Sequence, residues 1–259
     1  ETTASADGAV ALGGEVTASG SHAMAVGQKT VASGDFSTAM GMLTTASGRT
    51  STAMGLTTKA EGDITFACGN ETFAEGRHAV AMGDKTHAGG MNSTAMGSFT
   101  VASGSGAVAI GSKSEAQGGL GFAAGLETLA SGYISVAMGY QTVAEGNTSL
   151  ATGYKTTASG SFAVAMGSNT AAREDFATAF GSGPVAAGRA SFATGQESSA
   201  GGIASTAMGY KTIASGDYST ALGMYARTTG HSGAFAIGDG SDPNPVRSEE
   251  HTSELQSPS

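Results

Sequence analysis

Histidine and cysteine are the side chains in this sequence best suited to metal binding or nucleophilic attack, and their spacing argues against both. No pair of histidines has the spacing of a metal site. The single cysteine has no partner within the chain for a disulfide, and its setting indicates a small buried apolar residue. We therefore expect no metal, no cofactor and no disulfide from His22, His78, His87, His231, His251 and Cys68.

Carboxylates could support glycoside hydrolysis or calcium binding only if they clustered. Glu61, Glu75 and Glu145 share one position of a repeat, but Ser, Gln and Arg interrupt them there, which indicates a solvated face. No nucleophile elbow, phosphate loop or dinucleotide fingerprint is present. We expect no catalytic residues and no enzyme. Four aspartates look too few and out of phase for repeated calcium sites: Asp35, Asp63, Asp84 and Asp217.

The composition excludes several classes of protein. The 259 residues include 42 Gly but no Trp, and only 13% are charged, about half the usual share. The glycines do not recur every third residue, which excludes collagen, and no apolar stretch reaches the length of a transmembrane helix. The formal net charge of −9 argues against nucleic acid or an anionic membrane as a partner.

A seven-residue repeat must position every side chain. Gly recurs every seventh residue from Gly13 to Gly230, interrupted only by Glu174, and Ala lies two residues before each Gly from Ala11 to Ala221. Frequent Gly excludes a helical heptad. The pattern predicts strands of five residues that each end in a glycine turn.

Alternate heptads differ, so the structural unit is a coil of 14 residues. The residue before Gly is mostly apolar in one set, as in Met40, Met54 and Met82, and mostly polar in the other, as in Ser33 and Ser47. Ala and Ser/Thr alternate with these residues and therefore share the opposite strand face. We expect a narrow all-β coil with an Ala/Ser/Thr interior and one apolar outer face.

The apolar outer face is predicted to be an interface, since soluble proteins rarely expose such a stripe. Its volume is nearly constant in each coil, because a large residue such as Phe66 is followed by a small one such as Cys68. A close-packed shared core requires this compensation. The predicted interface residues are Val26, Phe36, Met40, Met54, Phe66, Cys68, Val80, Met82, Met96, Val108, Ile110, Phe122, Val136, Met138, Val164, Met166, Phe180, Phe192, Met208 and Leu222.

The segments Ser37–Gly41, Ala107–Gly111 and Ser135–Gly139, each followed by a polar heptad, resemble YadA-type head repeats of trimeric autotransporter adhesins. The resemblance covers residues 9–238. It implies a left-handed parallel β-roll that assembles as a parallel homotrimer, with the predicted interface around its axis. It also implies a cell-adhesion and virulence role at the bacterial outer membrane, with an extracellular protein or glycan as ligand and the anchor outside this chain. Similar repeats occur in bacteriophage tail fibres, so a virion segment for receptor binding is the alternative.

A third possibility is an ice-binding surface or a structural spacer, because the polar strands carry regular hydroxyls, as in residues 44–48. A flat threonine ladder would not be interrupted as often as this one is, at Lys59, Phe73, His87, Glu115, Leu129 and Arg227.

The repeat sets the expected boundaries of the chain. Residues 1–8 are expected to be a truncated lead-in, 9–238 the β-roll, and 239–246 a linker or the start of another segment. Residues 247–259 contain neither Gly nor Ala and resemble translated sequencing-adapter read-through, so we expect them to be non-native. Glu174 and Pro184 mark a local irregularity, interpreted as a distorted turn.

Overall fold

A computed structural model describes residues 1–240 of the chain, which form two compact units, Glu1–Ile134 and a second that begins at Ser135. Each unit is an all-β parallel solenoid. Residues 1–240 contain no helix, and so none long and apolar enough to cross a membrane. Most of the expected linker, residues 241–246, and the expected non-native tail, residues 247–259, lie outside the described residues.

The first unit alternates strands of two residues with strands of five. The first of them begins at Thr3, within the expected lead-in, and pairs with the equivalent strand of the next coil. The strands are β1 (Thr3–Ala4), β2 (Val10–Gly14), β3 (Thr17–Ala18), β4 (Met24–Gln28), β5 (Val31–Ala32), β6 (Thr38–Met42), β7 (Thr45–Ala46), β8 (Thr52–Leu56), β9 (Lys59–Ala60), β10 (Phe66–Asn70), β11 (Phe73–Ala74), β12 (Val80–Asp84), β13 (His87–Ala88), β14 (Thr94–Ser98), β15 (Val101–Ala102), β16 (Val108–Ser112), β17 (Glu115–Ala116), β18 (Phe122–Leu126) and β19 (Leu129–Ala130).

The second unit repeats the same alternation and ends with two long strands. Its last coil is one residue longer than the others, because Thr220 pairs with Phe235 rather than with residue 234. The strands are β20 (Val136–Tyr140), β21 (Val143–Ala144), β22 (Leu150–Tyr154), β23 (Thr157–Ala158), β24 (Val164–Ser168), β25 (Ala171–Ala172), β26 (Thr178–Ser182), β27 (Val185–Ala186), β28 (Phe192–Gln196), β29 (Ser199–Ala200), β30 (Thr206–Tyr210), β31 (Ile213–Ala214), β32 (Thr220–Met224) and β33 (Phe235–Asp239).

The predicted coil of 14 residues is confirmed by the pairing register. Long strands pair in parallel with long strands 14 residues away, as Met82 does with Met96, and short strands pair with short strands, as Phe73 does with His87. The interior is the predicted small-residue core, in which Ala81 and Ala88 are fully buried. Larger side chains would separate the two strands of a coil, so this core leaves every bulky side chain outside it.

The turns do not lie where the glycine pattern predicted them. From Glu15 to Tyr225 every seventh residue, two places after the repeated Gly, has a left-handed φ, and the non-glycine residues among them have values between 50° and 60°. This conformation is uncommon for residues with a side chain, yet Lys29, Phe36 and Ile64 all adopt it. The parallel ladders on both sides of each turn impose it, since their register leaves the chain no other path.

The two kinds of strand also differ in length, although five residues were predicted for both. In the long strands the repeated Gly is the fourth residue, not the end, as Gly41 is in β6. The short strands stop earlier because a turn follows at once: the N–H groups of Ser47 and Gly48 both donate to Ala60, and the carbonyl of Gly48 accepts from Ser51. The polar heptad is therefore mostly turn, and the apolar heptad is mostly strand.

The irregularity at residues 172–186 is absorbed without loss of the coil. The carbonyl of Glu174 accepts from the N–H of Ala177 at 3.0 Å, which is the turn hydrogen bond that Gly48 makes elsewhere. Pro184 is buried in a Ser/Thr position, and its carbonyl accepts from Ala171 at 3.0 Å. The ladder of β25 and β27 therefore continues across both substitutions.

Candidate functional site

The long strands expose an apolar surface, here called the long-strand face, formed by the first and third residues of each long strand. Within the single chain, methionines at the third position remain partly open, with Met82 36% and Met138 43% exposed. Because the pairing is in register, equivalent side chains stack at the strand spacing of about 4.8 Å. Each unit therefore carries a continuous apolar stripe along its stacking direction.

All but one of the predicted interface residues lie at the first or third position of a long strand. The exception is Phe36, which precedes β6, adopts a left-handed φ of 56° and is 60% exposed while its ring stacks on His22 at 5.3 Å. The residues on the long-strand face are Val26, Met40, Met54, Phe66, Cys68, Val80, Met82, Met96, Val108, Ile110, Phe122, Val136, Met138, Val164, Met166, Phe180, Phe192, Met208 and Leu222.

The volume compensation inferred from the sequence corresponds to side-by-side positions on this face. Phe66 and Cys68 are the first and third residues of β10, and the ladder places Cys68 between Met54 and Met82. The Cys68 thiol is free and half-buried. A small side chain therefore sits beside the large Phe66 ring and between two long methionines, which keeps the height of the stripe even.

The opposite surface, the short-strand face, carries a column of chemically different residues in three successive coils. Lys59, Phe73 and His87 are in register on β9, β11 and β13. The Lys59 ammonium lies 5.7 Å from the centre of the Phe73 ring, and the His87 ring packs on Phe73 in an edge-on arrangement at 6.4 Å. The register of the ladder thus places an aromatic ring between two cationic or polar side chains.

Glutamates form the second side of this column. Lys59 lies 3.6 Å from a Glu61 carboxylate oxygen, and Nε2 of His87 lies 3.0 Å from one of Glu75. The His87 contact lacks the geometry of a hydrogen bond, so it stabilises only a protonated imidazole. All four side chains are 40–49% exposed. Exposed pairs of this kind contribute at most about 1 kcal/mol each, so they orient the side chains more than they stabilise the fold.

These residues line an open cleft of about 450 Å³ that we call the Phe73 cleft. Glu71 and Lys85, both in left-handed turns, close its third side. The lining combines one aromatic ring with two lysines, three glutamates, a histidine and a buried threonine, namely Lys59, Glu61, Glu71, Phe73, Glu75, Lys85, Thr86 and His87.

A smaller cleft of about 300 Å³ lies four coils further along the same unit and repeats part of this layout. Leu129 occupies the place of Phe73, and Glu127 the place of Glu71. Lys113 lies 3.3 Å from Glu127. This Leu129 cleft lacks an aromatic ring, although its lining is otherwise similar: Lys113, Glu115, Glu127, Thr128 and Leu129.

In the second unit, aromatic residues gather beside the turns that follow the long strands. Tyr140 and Tyr154 stack in parallel at 5.2 Å. A hydrogen bond from Tyr210, together with the negative charge of Glu197, raises the pKa of Lys211 above its ordinary value. The Lys211 ammonium also lies 5.3 Å from the centre of the Tyr210 ring. These tyrosines pack mainly on one another and on lysine.

The aspartates dismissed as calcium ligands have a structural role, and the expectation that they are out of phase was wrong for three of them. Asp35, Asp63 and Asp217 occupy the same position of their coils, and each accepts a hydrogen bond from the backbone N–H of the residue 14 positions earlier, at 2.8–3.0 Å. Asp175 makes the same contact with Ser161. Asp84 lies in another row, where it accepts from Asn70.

The remaining residues singled out in the sequence do not converge. His78 lies in an exposed turn 3.0 Å from Asn92, His231 lies 3.0 Å from Thr229, and Glu145 is exposed. Within residues 1–240 no three His, Cys, Asp or Glu side chains are grouped closely enough to hold a metal ion. His251 lies outside the described residues. Of the five histidines, only His87 therefore belongs to a cleft.

Sequence reasoning missed the Phe73 cleft because it treated Lys59, Phe73 and His87 as interruptions of a threonine ladder and Glu61 and Glu75 as a solvated face. A signal was present: residues 14 positions apart stack in a coil of this length. Aligning residues 57–62, 71–76 and 85–90 would have placed an aromatic ring among the charged residues.

Comparison with known families identifies the repeat. A family model described as YadA head domain repeat matches residues 1–15, 18–44, 46–72, 74–100, 102–119, 130–156, 158–183 and 200–226. No curated protein matches the sequence. The matched segments contain the Phe73 cleft and most of the long-strand face.

Proposed function

The chain belongs to the YadA head domain repeat family, and on that premise we propose that it is a non-enzymatic segment of a trimeric autotransporter adhesin on a bacterial cell surface. In this proposal three parallel copies, each a left-handed β-roll, bury their long-strand faces together around one axis. The resulting rod presents the short-strand face of every copy to host or matrix surfaces.

The observation that carries this proposal is the long-strand face itself. Its methionines, such as Met40, Met138 and Met208, are between 38% and 43% exposed in the single chain. Fully burying a large apolar side chain contributes roughly 1.5–3 kcal/mol, so covering a repeated row of them would strongly favour association. Small-residue interiors bury little apolar area per residue, which makes this shared core the main source of stability.

Assembly and adhesion require separate measurements. Multi-angle light scattering on the full chain should give about three times the monomer mass of 25.2 kDa, and surfaces coated with it should retain mammalian cells better than surfaces coated with albumin. A monomer in solution would contradict the proposed assembly. A trimer that retains no cells would contradict the adhesive role and leave a structural spacer.

Ice binding receives no support from the geometry of the short-strand face. The outward row that begins with Thr17 and Thr45 passes through Lys59, Phe73 and His87, whose side chains contact one another and their glutamate neighbours. A flat array of hydroxyls is therefore interrupted over three consecutive coils. Thermal hysteresis of the purified chain should be absent.

A further inference from the structure

We propose that the Phe73 cleft binds a neutral hexopyranose at the end of a host glycan. This inference rests on the proposed function, because it requires the short-strand face to point outwards in the assembly. It goes beyond that function by assigning a ligand class and a site. The argument depends on the residues of the cleft, their charges and its shape.

The cleft offers the two kinds of contact that a sugar ring needs. A hexopyranose has one face made of C–H groups and an edge of hydroxyls. The Phe73 ring supplies an apolar surface with a negative face, and the carboxylates of Glu71 and Glu75 and the ammonium of Lys85 supply acceptors and donors around it. Ligand sites commonly combine such an apolar wall with a few polar groups that orient the ligand.

The charge of the cleft favours a neutral ligand. Its two lysines and three glutamates leave one excess negative charge when His87 is neutral, so a sulfated or sialylated glycan would meet carboxylates instead of a basic patch. Lys59 is already paired with Glu61 at 3.6 Å. The polar groups are therefore balanced against one another and remain available to hydroxyls.

The shape favours the end of a chain over an enclosed metabolite. The cleft of about 450 Å³ is open to solvent on a solenoid surface, so a terminal sugar could enter while the rest of the glycan stays outside. Lys59 lies over the Phe73 ring, but its side chain is 46% exposed. A long, exposed lysine can move aside without disturbing the coil, which would uncover the ring for stacking.

The Leu129 cleft provides an internal control for the aromatic ring. It has the same glutamate and lysine neighbours on its turn side, but leucine stands in place of phenylalanine. Because Leu129 already occupies this position in a well-formed coil, Phe73→Leu should fold normally while removing the stacking surface. Phe73→Tyr keeps the ring and should keep binding.

The test is ligand-observed NMR on the full chain, with the methyl glycosides of galactose, mannose, N-acetylglucosamine and N-acetylgalactosamine as probes. We expect saturation transfer to the C–H face of at least one glycoside, a dissociation constant raised at least tenfold by Phe73→Leu, and values unchanged by Phe73→Tyr and Leu129→Ala. Circular dichroism melts of all variants verify folding. Wild-type protein that binds none of the four probes, or Phe73→Leu that binds as well as wild type, would overturn the proposal.

A cell-attachment assay on the same variants separates this inference from the proposed function. If the wild-type chain and Phe73→Leu retain cells equally and no glycoside binds, the adhesin stands and the sugar site falls. If heparin or sialic acid blocks attachment while the neutral glycosides do not, the ligand is anionic and the proposal is wrong. If no variant retains cells although a glycoside binds at Phe73, the site stands and adhesion fails.

Discussion

Gly201 and Gly202 are neighbours in the chain, yet only one of them needs to be glycine. A Cβ built on Gly202 would overlap the backbone carbonyl of Gly216 in the next coil, whereas a Cβ on Gly201 would meet nothing closer than 3.8 Å. Neither residue has a left-handed φ, so the difference is one of space. The repeated glycine of the polar heptad therefore allows coils to stack closely.

This contrast predicts opposite results for two adjacent substitutions. Gly202→Ala should destabilise the chain by about 1–3 kcal/mol, the usual cost of overpacking. Gly201→Ala should change the free energy of unfolding by less than about 0.5 kcal/mol, as surface substitutions usually do, and Ala187 already occupies the equivalent place. Denaturant melts compare the two, and equal losses would show that the coils do not stack this closely.

Glu174 stands where the other coils have this spacing glycine, so it should be a weak point of the second unit. Glu174→Gly removes the Cβ that crowds the following coil, and the relief of about 1–3 kcal/mol should exceed the entropic cost of glycine, about 0.5–1 kcal/mol. We expect a net gain of about 1 kcal/mol, or roughly 2–4 °C in Tm, by calorimetry. Glu174→Ala keeps the Cβ and should show no gain; a gain from alanine would attribute the effect to the glutamate charge.

The interior hydroxyls predict a difference between buried positions of similar appearance. The buried Ser93 hydroxyl donates to the carbonyl of Gly90 at 2.6 Å, whereas the buried Thr100 hydroxyl has no partner among the described residues. Ser93→Ala should cost about 0.5–1.5 kcal/mol. Thr100→Val keeps the shape and removes an unpaired group, so it should be neutral or stabilising, as the buried Val16 in the same row indicates.

Thermal melts of both variants measure this difference. A loss of more than about 1 kcal/mol for Thr100→Val would mean that its hydroxyl is hydrogen-bonded after all. Equal effects of the two substitutions would mean that the interior does not distinguish paired from unpaired hydroxyls, which would contradict the burial of Thr100.

The coil and its faces could be predicted from the sequence because the same small residues recur at fixed steps. Ala81 and Ala88 could only face inwards, and residues such as Met82 only outwards. The turns could not be located in the same way. The residues that adopt the left-handed φ are as different as Lys29, Phe36 and Tyr225, because the ladders impose the conformation and the side chain leaves no signature.

The Phe73 cleft lay beyond sequence reasoning for another reason. It depends on three coils at once, since Glu71, Phe73 and His87 come together only through the 14-residue register. Its shape further depends on how long side chains lean, as the His87 ring does towards Gly89. A repeat pattern describes the average coil, so a site made from departures in successive coils is lost in the average.

Met138→Asp tests whether the long-strand face is buried between copies. In the single chain Met138 is 43% exposed, so a monomer would accept aspartate there with little loss. Inside a shared apolar core the same carboxylate would be desolvated without a partner, which costs several kcal/mol. We expect light scattering to show dissociation, or melting curves to show unfolding at a much lower temperature than in the wild-type chain.

Ser131→Asp supplies the matched control, because Ser131 holds the equivalent position in a polar heptad and is also partly exposed. The charge, the side-chain size and the distance from the repeated glycine are the same in both variants, so only the surroundings of the two faces differ. Ser131→Asp should keep the mass and melting temperature of the wild-type chain. If both variants remain assembled and equally stable, the long-strand face is open to solvent and copies of the chain must associate elsewhere; if both dissociate, the short-strand face is also an interface and cannot display a ligand site.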